Sequence, residues 1–166
     1  MRSLEAQELK DLLLKCWMTH DAMWFLHSVQ AVGIEKTNEI NKAAVRAMAM
    51  IEIQRIKKAL GIEEVQTFDN LRDLVLGAFE LIKADFMRFA VDFPERNVMR
   101  WEMHRCFAYE GVTKLGVADQ YRCGIFPRLE GWLDALGIGY EIVPPVDGCV
   151  MHTGGRCVRE FRTALP

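Results

Sequence analysis

Apolar positions in the first third of the chain follow a helical rhythm. Leu9, Leu13, Cys16, His20, Met23 and His27 recur at alternating steps of four and three, the trace of one helix face. Gly33 then stands where a left-handed cap would end that helix. The pattern predicts a second helix over 36–60, stopped by Gly61. A third starts at Thr67 or Asp69, both good N-caps, and runs to about residue 91 ahead of Pro94. Its apolar face is Leu71, Val75, Ala78, Ile82, Phe86 and Phe89.

After Pro94 the period drops to two. Met99, Trp101, Met103 and Phe107 alternate with Arg100, Glu102, His104 and Cys106, which predicts a strand. Short helices are expected over 111–119 and 127–136, a strand over 139–143, a diproline turn, and a last strand over 156–163. The sum is an α+β fold: N-terminal helices packed on a small antiparallel sheet, with additional short helices. One domain of 166 residues is expected, helical over 1–93 and strand-rich over 94–166. A chain of this size buries roughly 70% of its unfolded surface, enough for a core without staples.

Charge changes this picture little. The 21 basic and 23 acidic residues are mixed along the chain, net −2, and no basic stripe points to nucleic acid. The apolar run at 47–51 stops at Glu52, far short of a membrane span. The opening MRSLEAQELKDLL carries acids where a secretory signal would be apolar, so a cytoplasmic protein is expected. The five cysteines are odd in number and widely spread, which argues for reduced thiols.

Several side chains could carry chemistry. His20 and His27 are seven residues apart and share the stripe of Leu9 and Leu13, with Trp24 one turn from His20. A core-facing histidine needs partners for both ring nitrogens. His20 is therefore either a satisfied core or interface residue, or, with Asp21 beside it, a catalytic candidate. Thr19 or Asp21 could instead cap a new helix. Glu52 interrupts AMAMIEIQRI, a stretch apolar on nearly every side and so expected to be central. It is either salt-bridged to Arg55 at i+3 or a buried acid–base group. Glu102, His104 and Cys106 point to one side of the predicted strand and would line a pocket if helices cover it. Finally, DGCVMHTGGRC at 147–157 sets Cys149, His152 and Cys157 at a spacing that resembles a ligand run for zinc or iron. Gly154 and Gly155 could equally form a hairpin turn that needs no metal.

Taken in order, Arg105 and Cys106 ending a strand, Gly116, Cys123 and the closing GGRCVREF resemble the C-terminal half of L-2-amino-thiazoline-4-carboxylate hydrolase-type proteins. The closing segment is also similar to the vinyl-reductase-type small-molecule-binding domain. HDAMWF at 20–25 resembles a related family of uncharacterised prokaryotic cytosolic proteins. The resemblance implies a pocket between helices and sheet and ring-opening hydrolysis of a cyclic amidine. Arg105, Cys106, Cys123 and Cys157 match its pattern. The hydrolase pattern has an Asp soon after the middle cysteine, whereas Cys123 is followed by Gly-Ile-Phe-Pro and no acid before Glu130. If that Asp activates water, Glu52 or Asp21 would have to replace it here.

These readings lead to a small-molecule-binding domain with a small anionic ligand. Trp24, Phe25, Trp101 and Phe107 would wall its pocket, with His20, His104, Arg105 and Cys123 orienting the ligand. The alternative is a hydrolase with His20, Asp21, Glu52 or Cys106 in catalytic roles. The apolar first helix could pair with a second copy as a homodimer.

Overall fold

The computed structural model describes residues 2–166. Five helices and four strands follow in the order α1 (Ala6–Ala59), α2 (Phe68–Ile82), β1 (Arg88–Glu95), β2 (Val98–Arg105), α3 (Phe107–Lys114), α4 (Ile125–Ala135), β3 (Tyr140–Val143), α5 (Val150–Gly154) and β4 (Cys157–Thr163). The architecture is α+β, with helices packed on a small antiparallel sheet of order β1-β2-β4-β3.

α1 is two arms joined at Gly33, whose backbone (φ 78°, ψ 166°) leaves the helical region at a single residue. Positive φ suits glycine because there is no Cβ to clash, so the break falls where the sequence placed its stop. Thr37 Oγ donates back to the Gly33 carbonyl at 2.7 Å, the i−4 bond open to a threonine at the start of the second arm. The first arm runs unbroken through Thr19 and Asp21. Neither caps a new helix, and the Thr19 hydroxyl bonds back to the Lys15 carbonyl at 2.8 Å.

α2 begins at the predicted cap, with the Thr67 side chain accepting from the Asn70 amide at 3.3 Å. It ends at Ile82 rather than near residue 91. Phe89, expected on its face, instead lies on β1, which pairs antiparallel with β2 in the register Phe89↔Met103 and Val91↔Trp101. A spacing of four is shared by a helix face and a strand face, so Phe89 and Phe93 fit both periods. Cross-strand pairing then decides. Asn97, at φ 64°, turns the chain between β1 and β2.

The predicted face of β2 holds. Met99, Trp101 and Met103 are buried, and β4 continues the layer with Met99↔Phe161 and Met103↔Cys157. Phe107 does not belong to this strand; it opens α3, which ends at Lys114 rather than reaching residue 119. Gly154 and Gly155 form no hairpin. Gly155 (φ 65°) is the left-handed cap of α5, and β4 pairs with β2 and β3 instead.

The core lies between the sheet and the helices α1, α2 and α4, with Ala49, Ile53, Leu74, Phe126 and Phe161 almost wholly enclosed. α4 approaches α1 closely because residue 131 is glycine: a Cβ there would lie 2.8 Å from the Arg46 carbonyl oxygen and 2.9 Å from Ala49 Cβ. Ion pairs from Arg46 to Glu130 (3.0 Å) and Asp134 flank that contact. The 47–53 stretch is only partly central. Ala49 and Ile53 are buried, but Met50 and Ile51 face outward. No helix of the described residues is long and apolar enough to cross a membrane.

Candidate functional site

A half-open cavity of about 210 Å³ lies where both arms of α1, α2, the sheet, α3 and α4 meet. Its walls are mainly aromatic and sulfur-bearing: Trp17 and Phe25 from the first arm, Met48 from the second, Phe79 from α2, Trp101 from β2 and Trp132 from α4. Helix periodicity delivers the α1 residues: Trp17, Asp21 and Phe25 are spaced by four and share one face. The wall is rigid at its base, where Phe89 stacks on Trp101 with ring centroids 4.3 Å apart and Phe79 packs 5.5 Å from Trp101.

Polar groups are few. Asp21, Asn41, Arg105, Tyr121 and Arg128 also line the cavity. Arg128 is held from behind, donating to Glu52 through Nε at 2.8 Å and Nη2 at 2.5 Å, while Trp132 Nε1 donates to the same carboxylate at 3.0 Å. Its guanidinium lies 5.3 Å from the Trp17 ring centroid. Arg105 is exposed and paired with Glu110 at 2.6 Å; that pair raises the guanidinium pKa and lowers that of the carboxyl. Partial desolvation raises the pKa of the Asp21 carboxyl above its ordinary value although 54% of the side chain is exposed, with His20 and Arg128 opposing the shift. Tyr121 is buried and its phenol pKa is raised by desolvation. Its oxygen accepts from the Gly124 amide at 3.2 Å, which leaves its proton free to donate. The Tyr121 loop is pinned by Asn38, which donates to the Gln120 carbonyl at 2.8 Å and accepts from the Arg122 amide at 3.0 Å. Among the described residues, the buried indole Nε1 of Trp101 has no hydrogen-bond partner.

Only part of the expected constellation meets here. Asp21, Phe25, Trp101, Arg105 and Phe107 line the cavity. Trp24 does not; it is two-thirds exposed (66%) on the far side of the first arm, where its Nε1 donates to His20 Nε2 at 3.0 Å. That bond occupies the His20 lone pair, while Asp21 stands 3.8 Å from Nδ1. The stripe of Leu9, Leu13 and His27 is likewise exposed rather than core-facing. Glu52 lies behind the wall, bridged to Arg128 and not to Arg55.

The row Glu102, His104 and Cys106 splits. Glu102 and His104 lie on the outer side of the sheet, where Arg156 donates to Glu102 at 3.0 Å and lowers its pKa. Cys106 turns inward as the cap of α3, its sulfur accepting from the Tyr109 amide at 3.4 Å, and burial raises its thiol pKa. Cys123 lines a separate hollow beside Arg46 and Arg122. Burial pushes its thiol up to about 12 and that of Cys157 up to about 11. Both are protonated near neutrality and poor nucleophiles. Cys149 and Cys157 are buried while His152 is exposed. No group of three metal-ligating side chains forms among the described residues, so the expected metal set is not assembled.

The sequence reading missed Trp17, Tyr121, Arg128 and Trp132. Trp17 had a signal, its spacing of four from Asp21. Arg128 had none, because its partner Glu52 is 76 residues away.

An α+β domain with an aromatic cavity between a helical hairpin and a sheet is the class these features define. The chain belongs to a family of unknown function, DUF6125, whose model matches residues 3–124. That segment carries both arms of α1, α2, β1, β2 and α3, and so most of the cavity wall. No curated protein and no solved structure matches the chain.

Proposed function

We propose that this is a small-molecule-binding domain whose cavity takes a small, largely apolar ligand bearing one acidic group. The observation that carries the reading is the cavity itself, with aromatic walls, few polar groups, and Arg105 and Arg128 on its lining. Sparse polar groups in an apolar hollow fix orientation while the walls supply contact area. At about 210 Å³ the space falls below the roughly 300–1,000 Å³ typical of ligand pockets, which favours a small ligand.

The test is a panel of aryl carboxylates and their amides, read by tryptophan fluorescence and by thermal shift. Carboxylates should bind and amides should not. Arg105→Met should weaken binding about tenfold or more, the scale of one charge-assisted hydrogen bond. Gly111→Trp, which adds bulk where the lining is open, should abolish it. A panel that shifts nothing, or binding indifferent to Gly111→Trp, overturns the proposal.

A second reading is a hydrolase of the L-2-amino-thiazoline-4-carboxylate type. What favours it is Asp21, a carboxyl on the cavity wall with a raised pKa, suited to exchanging a proton near its substrate. Under that reading, Asp21→Asn abolishes turnover of the cyclic amidine while the substrate still binds.

A further inference from the structure

The two arms of α1 enclose a second groove of about 310 Å³, lined only by α1 residues. Two stripes border it. On the first arm, Leu9, Leu13, Cys16, His20, Met23 and His27 keep the alternating four-three spacing of a heptad seam, and all are exposed. On the second arm, Ile40, Ala44, Ala47 and Ile51 keep the same spacing and are also exposed. His20 from the first stripe and Ile40 and Ala44 from the second line the same groove, with the exposed Trp24 one turn from His20, so the stripes border one groove.

From this juxtaposition we infer that α1 is a self-association surface: two copies of the chain pair their helical hairpins as an antiparallel-type four-helix bundle.

Three features select a second copy as the occupant. Heptad spacing is read by another helix, because knobs at steps of three and four fit the holes of a facing helix. A hairpin with two such seams offers a matching pair to its own mate, as an isologous two-fold contact requires. The stripe positions themselves carry no lysine, arginine or carboxylate, and Asp21 is the one charged side chain among the described residues lining the groove between them. Along the seams, therefore, a like surface meets no repulsion. Alanines at 44 and 47 let a facing helix approach closely.

Area is compatible with a weak dimer. Full burial removes roughly 100 Å² from a leucine-sized side chain and about 200 Å² from tryptophan. Leu13 at 60%, Ile51 at 55% and Trp24 at 66% exposure, with Leu9, Met23 and Ile40 at 46%, 45% and 49%, then offer roughly 400 Å² of apolar side chain per copy. Stable interfaces start at about 600 Å² per partner, so with Cys16, His20, Ala44 and Ala47 added the face suits an association in the micromolar range. Such a face is also at the upper end of what a monomer leaves open.

Pairing has a consequence for the cavity. The groove and the cavity share Trp17, Asp21, Phe25, Asn41, Val45 and Met48, so a second copy over the groove closes the back of the cavity wall. The inference itself does not depend on any ligand.

The experiment is sedimentation equilibrium on the full chain without ligand, from about 1 to about 100 μM. The wild type should reach twice the monomer mass within that range. Ala44→Glu and Leu13→Glu each place a charge in the seam at positions exposed in the single chain, so both should fold. Each should raise the dimer dissociation constant about 100-fold or more. Labelling of Cys16, exposed in the single chain, should slow as protein concentration rises. A wild type that stays monomeric throughout overturns the inference, as does a dimer that both substitutions leave intact. If Leu13→Glu loses its circular-dichroism signal, Ala44→Glu alone decides.

Discussion

Arg128 sits between two tryptophan rings, within 5.3 Å of the Trp17 centroid and 6.0 Å of the Trp132 centroid, and Glu52 fixes its direction. Both partners of this pair are largely buried, at 19% and 13% side-chain exposure. Removing the carboxylate therefore strands a guanidinium and an indole N–H away from water. Breaking a buried pair by deleting one member costs far more than the pair contributes as a whole. Glu52→Ala should lower the free energy of unfolding by about 2–4 kcal/mol. Glu52→Gln, which keeps an acceptor oxygen, should lose less than Glu52→Ala. Urea denaturation of both variants measures the order, and a Glu52→Ala protein as stable as wild type would remove the positioning role argued for this residue. The interior thiols are a different kind of residue. Their chemistry is silenced by burial, which keeps Cys123 and Cys157 protonated near neutrality.

Among the elements, helix packing turns on where glycine is needed and where it is not. Gly131 sits against the Arg46 carbonyl and Ala49, so Gly131→Ala forces α4 away from α1 and should destabilise by about 1–3 kcal/mol. Gly111, inside α3, meets nothing within 4 Å, so Gly111→Ala should stabilise by about 0.5–1 kcal/mol through helix propensity alone. Thermal unfolding of the two variants side by side should show shifts of opposite sign. This contrast is invisible in the sequence, where both are single glycines in helical stretches. What the sequence did carry is the element set governed by local periodicity: the break at Gly33, the Thr67 cap, the alternation of Met99, Trp101 and Met103, and the last strand. What it hid depends on distant pairing. Strand β1 was absorbed into a helix because Phe89 satisfies both periods, and only its register with Met103 settles the choice. The site divides in the same way. Trp101 was found because its alternation set it apart, Asp21 because it stands beside His20, and Arg105 through the family resemblance, whereas Arg128 and Trp132 are tied into the cavity wall by a carboxylate on another helix.

At the scale of the whole molecule, Asp21 belongs to both hollows: it lines the cavity and the groove between the arms of α1. Its carboxyl pKa is raised, chiefly by desolvation, against the attraction of His20 and Arg128. The sign of the stability effect follows. A raised pKa means that the folded chain holds this proton more tightly than the unfolded chain. As pH climbs from the ordinary aspartate range to the folded value, the unfolded chain ionises first, and stability falls across that window and is flat above it. Asp21→Asn removes the penalty. It should raise the urea midpoint near pH 7 and leave it unchanged near pH 3, where both proteins carry a neutral side chain. A variant less stable than wild type at pH 7 would mean that the attraction of Arg128 outweighs desolvation. The same charge faces the proposed ligand, so an ionised Asp21 opposes a carboxylate that Arg105 and Arg128 attract. Aryl-carboxylate binding should therefore tighten in Asp21→Asn at neutral pH, measured by the same fluorescence titration. Weakened binding would instead make Asp21 a partner of the ligand, the arrangement that the hydrolase reading requires.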